Sequence, residues 1–178
     1  QALCDAARYQ LELMAVTHGR EGAAVPVSWA ASLLRSMCYQ NREQLQAGLI
    51  VAGFDAVADE GQVYSIPLGG SLHKQPFAIS GSGSSYIYGW CDANWRPDMT
   101  EAEAVKFVTE ALALAMSRDG SSGGVIRLAI ITAGGVERQV ILPSHHPTPP
   151  SHHPHHPTSH FPPSFHSTPH ILHFISLI

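Results

Sequence analysis

Ser80-Gly81-Ser82-Gly83-Ser84-Ser85, and further on Arg118-Asp119-Gly120-Ser121-Ser122-Gly123-Gly124, are two small-residue stretches, each at a junction between helix-like and strand-like sequence. Glycine lets the backbone approach a neighbour closely, and serine and aspartate supply hydrogen bonds there. Between them, Thr100-Glu101-Ala102-Glu103 forms a capping box. Val105, Val108, Leu112, Ala115 and Met116 follow at helical spacing, with Arg118 in the last turn and Gly120 placed to end the helix. Upstream, Gln75 to Ile79 reads as a strand and Tyr86 to Asp92 as a helix. Downstream, Val125 to Thr132 and Val136 to Leu142 read as two strands around Ala133-Gly134-Gly135.

Nearer the start, Leu3, Ala6, Ala7, Leu11 and Met14 predict a helix from Ala2 to about Thr17, terminated by Gly19 and Gly22. A second helix is expected from Ser28 as N-cap to near Gln46. Gly48 to Gly53 and Gln62 to Ile66 form a hairpin about the Asp59-Glu60-Gly61 turn. Helices grouped apart from hairpin-connected strands imply an α+β layered domain rather than a parallel β-α-β wind.

The 178 residues fall into two materials. Every Asp, Glu, Lys and Arg lies at or before Arg138, whereas ten of the twelve His and nine of the thirteen Pro lie from Pro143 onward. Residues 1–142 are therefore expected to be the domain, and 143–178 a disordered His/Pro/Ser-rich tail. One reading of the tail is a reading frame run into non-coding sequence. The other is a metal-binding tract, since His145-His146, His152-His153 and His155-His156 present paired imidazoles. A net charge of −4 with no basic run argues against nucleic acid and anionic membranes as partners. Cys4, Cys38 and Cys91 form no C-x-x-C pair, which suits a reducing compartment and argues against a structural metal. Neither a signal peptide nor a membrane span is legible.

The two motifs in this order, with Gly61-Gln62-Val63-Tyr64-Ser65, Tyr86-Ile87-Tyr88-Gly89 and Ala113-Leu114-Ala115-Met116, resemble the β subunits of the 20S proteasome from about Ala2 to Leu142. The likeness is greatest to the β1 group, in its constitutive or immunoproteasome form. It implies a partial four-layer α-β-β-α sandwich of the N-terminal nucleophile hydrolase type, lacking its first strands. It also implies a threonine-type endopeptidase acting in ubiquitin-dependent protein catabolism in cytoplasm and nucleus, with no cofactor. The implied partners are the other α and β subunits of a stacked-ring assembly, and the substrate is unfolded polypeptide.

In that family the nucleophile is an N-terminal threonine exposed by cleavage of a Gly-Thr bond, with its own α-amine, of pKa near ~8, as the base. No Gly-Thr pair occurs in these residues, and Thr17 lies at the end of a predicted helix. The chain opens on Gln rather than Met, so either processing or an incomplete gene model is expected to have removed its beginning, the incomplete model being the favoured reading. Without the nucleophile segment it is expected to be inactive as written. The resemblance makes Ser82, Asp119 and Ser122 the shell that holds the threonine amine, and places Gln1 at the rim of the substrate's S1 pocket.

Other readings remain open. A structural β-ring subunit without catalysis is one. An unrelated nucleotide-binding domain using Ser80 to Ser85 as a phosphate cradle is another, although no Gly-Lys-Ser/Thr ending supports it. A serine hydrolase on Ser82 or Ser122 would need a histidine base, and only His18 and His73 precede the tail. Without the resemblance, Ser82 reads as a helix cap or turn and Asp119-Gly120 as a helix-exit turn.

Overall fold

The computed structural model describes residues 2–20, 24–142, 145 and 174–176. Helix α1 runs Ala2–Thr17, buries Ala7 and Ala15, and is closed at Gly19, whose φ of +64° suits glycine. Gly22 lies outside the described residues.

Helix α2 spans Val27–Gln40, and Ser28 sits inside its first turn rather than capping it. The N-cap is Pro26, which makes no side-chain cap bond. The Val27 N–H instead donates to Asp55 Oδ2 at 3.2 Å, so the cap comes from a distant strand end. The helix stops at Gln40, short of Gln46, because Asn41 leaves helical geometry and side chains satisfy the last carbonyls. Asn41 Nδ2 donates to Met37 O at 2.8 Å and Arg42 Nη1 to Tyr39 O at 3.0 Å.

Strands β1 (Leu49–Asp55) and β2 (Glu60–Ile66) pair antiparallel, with Leu49 opposite Ile66 and Asp55 opposite Glu60. The buried Asp55 ties the turn, since its Oδ1 accepts the N–H groups of Val57 and Ala58 at 3.0 and 3.1 Å. The single strand expected over Gln75 to Ile79 is two. β3 (His73–Gln75) pairs with β2, and β4 (Ala78–Ser80) belongs to a different sheet. Pro76, which lacks an N–H, separates them.

Helix α3 is longer than expected, Ser84–Asn94. Helix α4 (Glu101–Arg118) carries the anticipated capping box: Thr100 Oγ1 accepts the Glu103 N–H at 3.3 Å and Glu103 Oε2 the Thr100 N–H at 2.9 Å. Its exit is Asp119, in extended geometry, rather than a left-handed Gly120. β5 (Ile126–Thr132) and β6 (Gly135–Ile141) then form an antiparallel hairpin.

The main core lies between α3, α4 and β5, where Ile87, Cys91, Ala111, Ala115 and Ile126 are essentially inaccessible and Trp90 stacks on Phe107 at 5.4 Å. Burial pushes the Cys91 thiol up to about 12, so it serves as a small core residue. The described strands form three sheets, of three, two and two strands. The tail was expected to hold no regular element, yet a short strand β7 (Phe174–Ser176) pairs parallel with β4, satisfying ladder groups of a buried strand. The rest of that expectation, with the His pairs beyond His145, lies outside the described residues. Among the described residues no helix is long and apolar enough to cross a membrane.

Candidate active-site shell

Ser82 lies in the turn between β4 and α3, and Asp119 at the exit of α4. The shared core of α3 and α4 fixes the distance between these two points, because Ile87 and Cys91 on α3 pack with Ala111 and Ala115 on α4. The structure brings all three proposed shell residues together. Ser82 Oγ donates to Asp119 Oδ2 at 2.6 Å, and Ser122 Oγ donates to the same oxygen at 2.5 Å.

The other carboxylate oxygen, Oδ1, accepts the Ser121 N–H at 3.1 Å, and the Asp119 carbonyl accepts the Ser122 N–H at 3.1 Å. This is an Asx-type turn, in which aspartate organises the backbone that follows it. The Ser121 contact was not anticipated, although the Asp-Gly-Ser-Ser order carries the signal.

Asp119 is only 7% exposed, Ser122 is half-buried and Ser82 is exposed, so the cluster opens outward on the serine side. The Ser122 hydroxyl, then the Ser82 hydroxyl and the Ser121 N–H, hold the Asp119 carboxyl below its ordinary value, against the opposing effect of burial. An ionised carboxylate takes the hydrogens of both hydroxyls. The serine oxygens are then left with their lone pairs directed away from Asp119, as acceptors for a donor such as an ammonium group.

A cavity of about 550 Å³ is bordered in part by Ser80, Gly81, Ser84, Tyr88 and Asp92. Ser82, Asp119 and Ser122 do not line it, so the shell and this cavity are separate spaces. Gln1, expected at a substrate pocket, lies outside the described residues. Among the described residues no group of three His, Cys, Asp or Glu side chains could hold a metal ion.

The mixed helices and strands fit an α+β fold of the N-terminal nucleophile type. The proteasome-subunit family profile matches residues 1–131. The chain is 55% identical over 139 residues to a probable proteasome subunit beta type-1 of Schizosaccharomyces pombe, covering 78% of this chain and 60% of the relative. It is 56% identical over 142 residues to proteasome subunit beta type-6 of Dictyostelium discoideum, covering 79% and 64%. It is 53% identical over 148 residues to human proteasome subunit beta type-9, covering 83% and 65%. The chain belongs to the proteasome β-subunit family, and it spans less than two thirds of the length of these relatives. That membership removes the nucleotide-cradle reading of Ser80 to Ser85.

Proposed function

We propose that this chain is a β1-type subunit of the 20S core particle, placed among the other α and β subunits of a stacked-ring assembly. Its complete form is a threonine-type endopeptidase that cleaves unfolded polypeptide in ubiquitin-dependent catabolism, in cytoplasm and nucleus. Ser82, Asp119 and Ser122 are positioning residues for the α-amine of an N-terminal threonine: the serine oxygens accept from the amine, and the Asp119 carboxylate orients both hydroxyls. The observation that carries this reading is the convergence of two hydroxyls, from separate elements, on one carboxylate oxygen. The 178 residues contain no Gly-Thr pair, so by themselves they are inactive in this proposal.

Two measurements test it. Co-expressed with the remaining ring subunits, the chain should co-elute with a particle of several subunits on size exclusion, and a monomer there overturns the subunit assignment. Alone, it should leave fluorogenic peptides with acidic or hydrophobic P1 residues uncut. Cleavage that disappears in Asp119→Ala would show that these residues already hold a working nucleophile.

A further inference from the structure

We propose that Tyr39 is a phosphorylation site whose phosphate is received by Arg35 and Arg42. Tyr39 lies in the last turn of α2 and is 48% exposed. The Arg42 guanidinium carbon lies 4.7 Å from the centroid of its ring and that of Arg35 lies 5.5 Å away. Arg35 lies one helical turn before Tyr39 on α2, and Arg42 follows in the turn beyond the helix end, so both guanidinium groups come to the same ring. The ring quadrupole attracts the guanidinium groups and keeps two cations beside one phenol.

Arg42 is positioned further by its bond to the Tyr39 carbonyl. Among the described residues its carboxylate contact is Glu43 at 3.7 Å, an exposed pair of small strength that a doubly charged phosphate would outcompete. The turn packed on the Tyr39 backbone, Pro67-Leu68-Gly69-Gly70-Ser71-Leu72, contains no acidic residue. An aryl phosphate on Tyr39 has two guanidinium groups beside its ring, and the Glu43 carboxylate follows four residues on.

The other tyrosines lack this setting. Tyr9 lies within a helical turn of both Asp5 and Glu12. The Tyr64 hydroxyl already donates to Gln62 Oε1 at 3.0 Å. Among the described residues Tyr39 is the tyrosine with guanidinium groups over its ring.

The step is an ordinary phosphoryl transfer. A tyrosine kinase passes the γ-phosphoryl group of ATP to Tyr39 Oη; the new O–P bond replaces the bond to ADP, and the phenolic proton leaves to the kinase's base. The resulting dianion accepts charge-assisted hydrogen bonds from both arginines and fastens the end of α2 to the turn at 41–44.

The full chain, treated with a broad-specificity tyrosine kinase and MgATP, should carry phosphate on Tyr39 by mass mapping. In 31P NMR that phosphate should ionise about one pH unit lower in the native chain than in urea, as expected for an anion flanked by two cations. Arg35→Gln with Arg42→Gln should abolish the difference, with circular dichroism unchanged. The native-to-urea comparison needs no substitution, so it stands whether or not the variant folds. The proposal is overturned if Tyr9, Tyr86 and Tyr88 are modified while Tyr39 is not, or if its phosphate titrates identically in the native and unfolded chain.

Discussion

Ser82 Oγ and Asp119 Oδ2 stand 2.6 Å apart and join the loop before α3 to the exit of α4. Ser122, three residues beyond Asp119, brings a second hydroxyl to the same oxygen. Replacing Asp119 by Ala leaves both hydroxyls free to rotate. In particles assembled with a complete form of the subunit, kcat should fall about 10²-fold with KM little changed, the cost of a misplaced reacting group. Asp119→Asn should fall between, because an amide still presents one acceptor oxygen. Equal kcat in wild type and Asp119→Ala would remove the positioning role.

Acid should weaken the fold through two carboxylates. Asp119 and Asp55 both hold folded-state values below their unfolded ones. Three backbone N–H donors and the charge of Lys74 hold Asp55 down against burial. A depressed carboxyl contributes stability that is present above its unfolded value, near ~3.9, and is lost as pH falls through the folded value. Urea midpoints should therefore be level from pH 7 to 5 and decline below pH 4. Asp119→Asn should flatten part of that decline, and an unchanged slope would contradict the assignment.

Asp55→Ala strips the acceptor from Val27, Val57 and Ala58 at once. One substitution uncaps α2 and loosens the β1–β2 turn. The expected loss is about 3 kcal/mol, within the range for buried donors left unpaired, read as a shift in the urea midpoint at constant slope. Ser28→Ala, at the position that looks like a cap in the sequence, should cost well under about 0.5 kcal/mol.

Gly70 and Gly120 offer a matched pair. A Cβ at Gly70 would stand 2.7 Å from the Tyr39 backbone nitrogen, with φ at +77°, while one at Gly120 would meet nothing within 4 Å. Gly70→Ala should destabilise by more than about 1 kcal/mol and Gly120→Ala by almost nothing, with the order of melting temperatures as the check.

Local chemistry was the legible part of this sequence. The Thr100-Glu103 box, the α4 stripe and the β5–β6 hairpin each rest on residues a few positions apart and formed as read. The β1–β2 hairpin formed too, although Glu60 and Gly61, read as its turn, pair in β2 with Asp55 and Phe54. Long-range partners were not legible. Nothing near Val27 shows that its N–H is satisfied by Asp55, so Ser28 attracted the cap assignment. Pro76 did carry the signal that splits β3 from β4, but a continuous apolar run concealed it. Within the site, Asp119 with Ser122 is a local turn that spacing alone suggests. The approach of Ser82 depends on how α3 packs on α4, and only the family resemblance brought it forward.

β6 is exposed along nearly its whole length, with Val136 and Val140 open to water, as is Leu142 just beyond it, and no further strand on its outer edge among the described residues. An uncovered ribbon of this kind is adhesive toward its own kind. Glu137 and Arg138, in mid-strand, would each have to give up water if a second strand closed on this edge, so the two charges make pairing with another copy costlier than an all-apolar edge would.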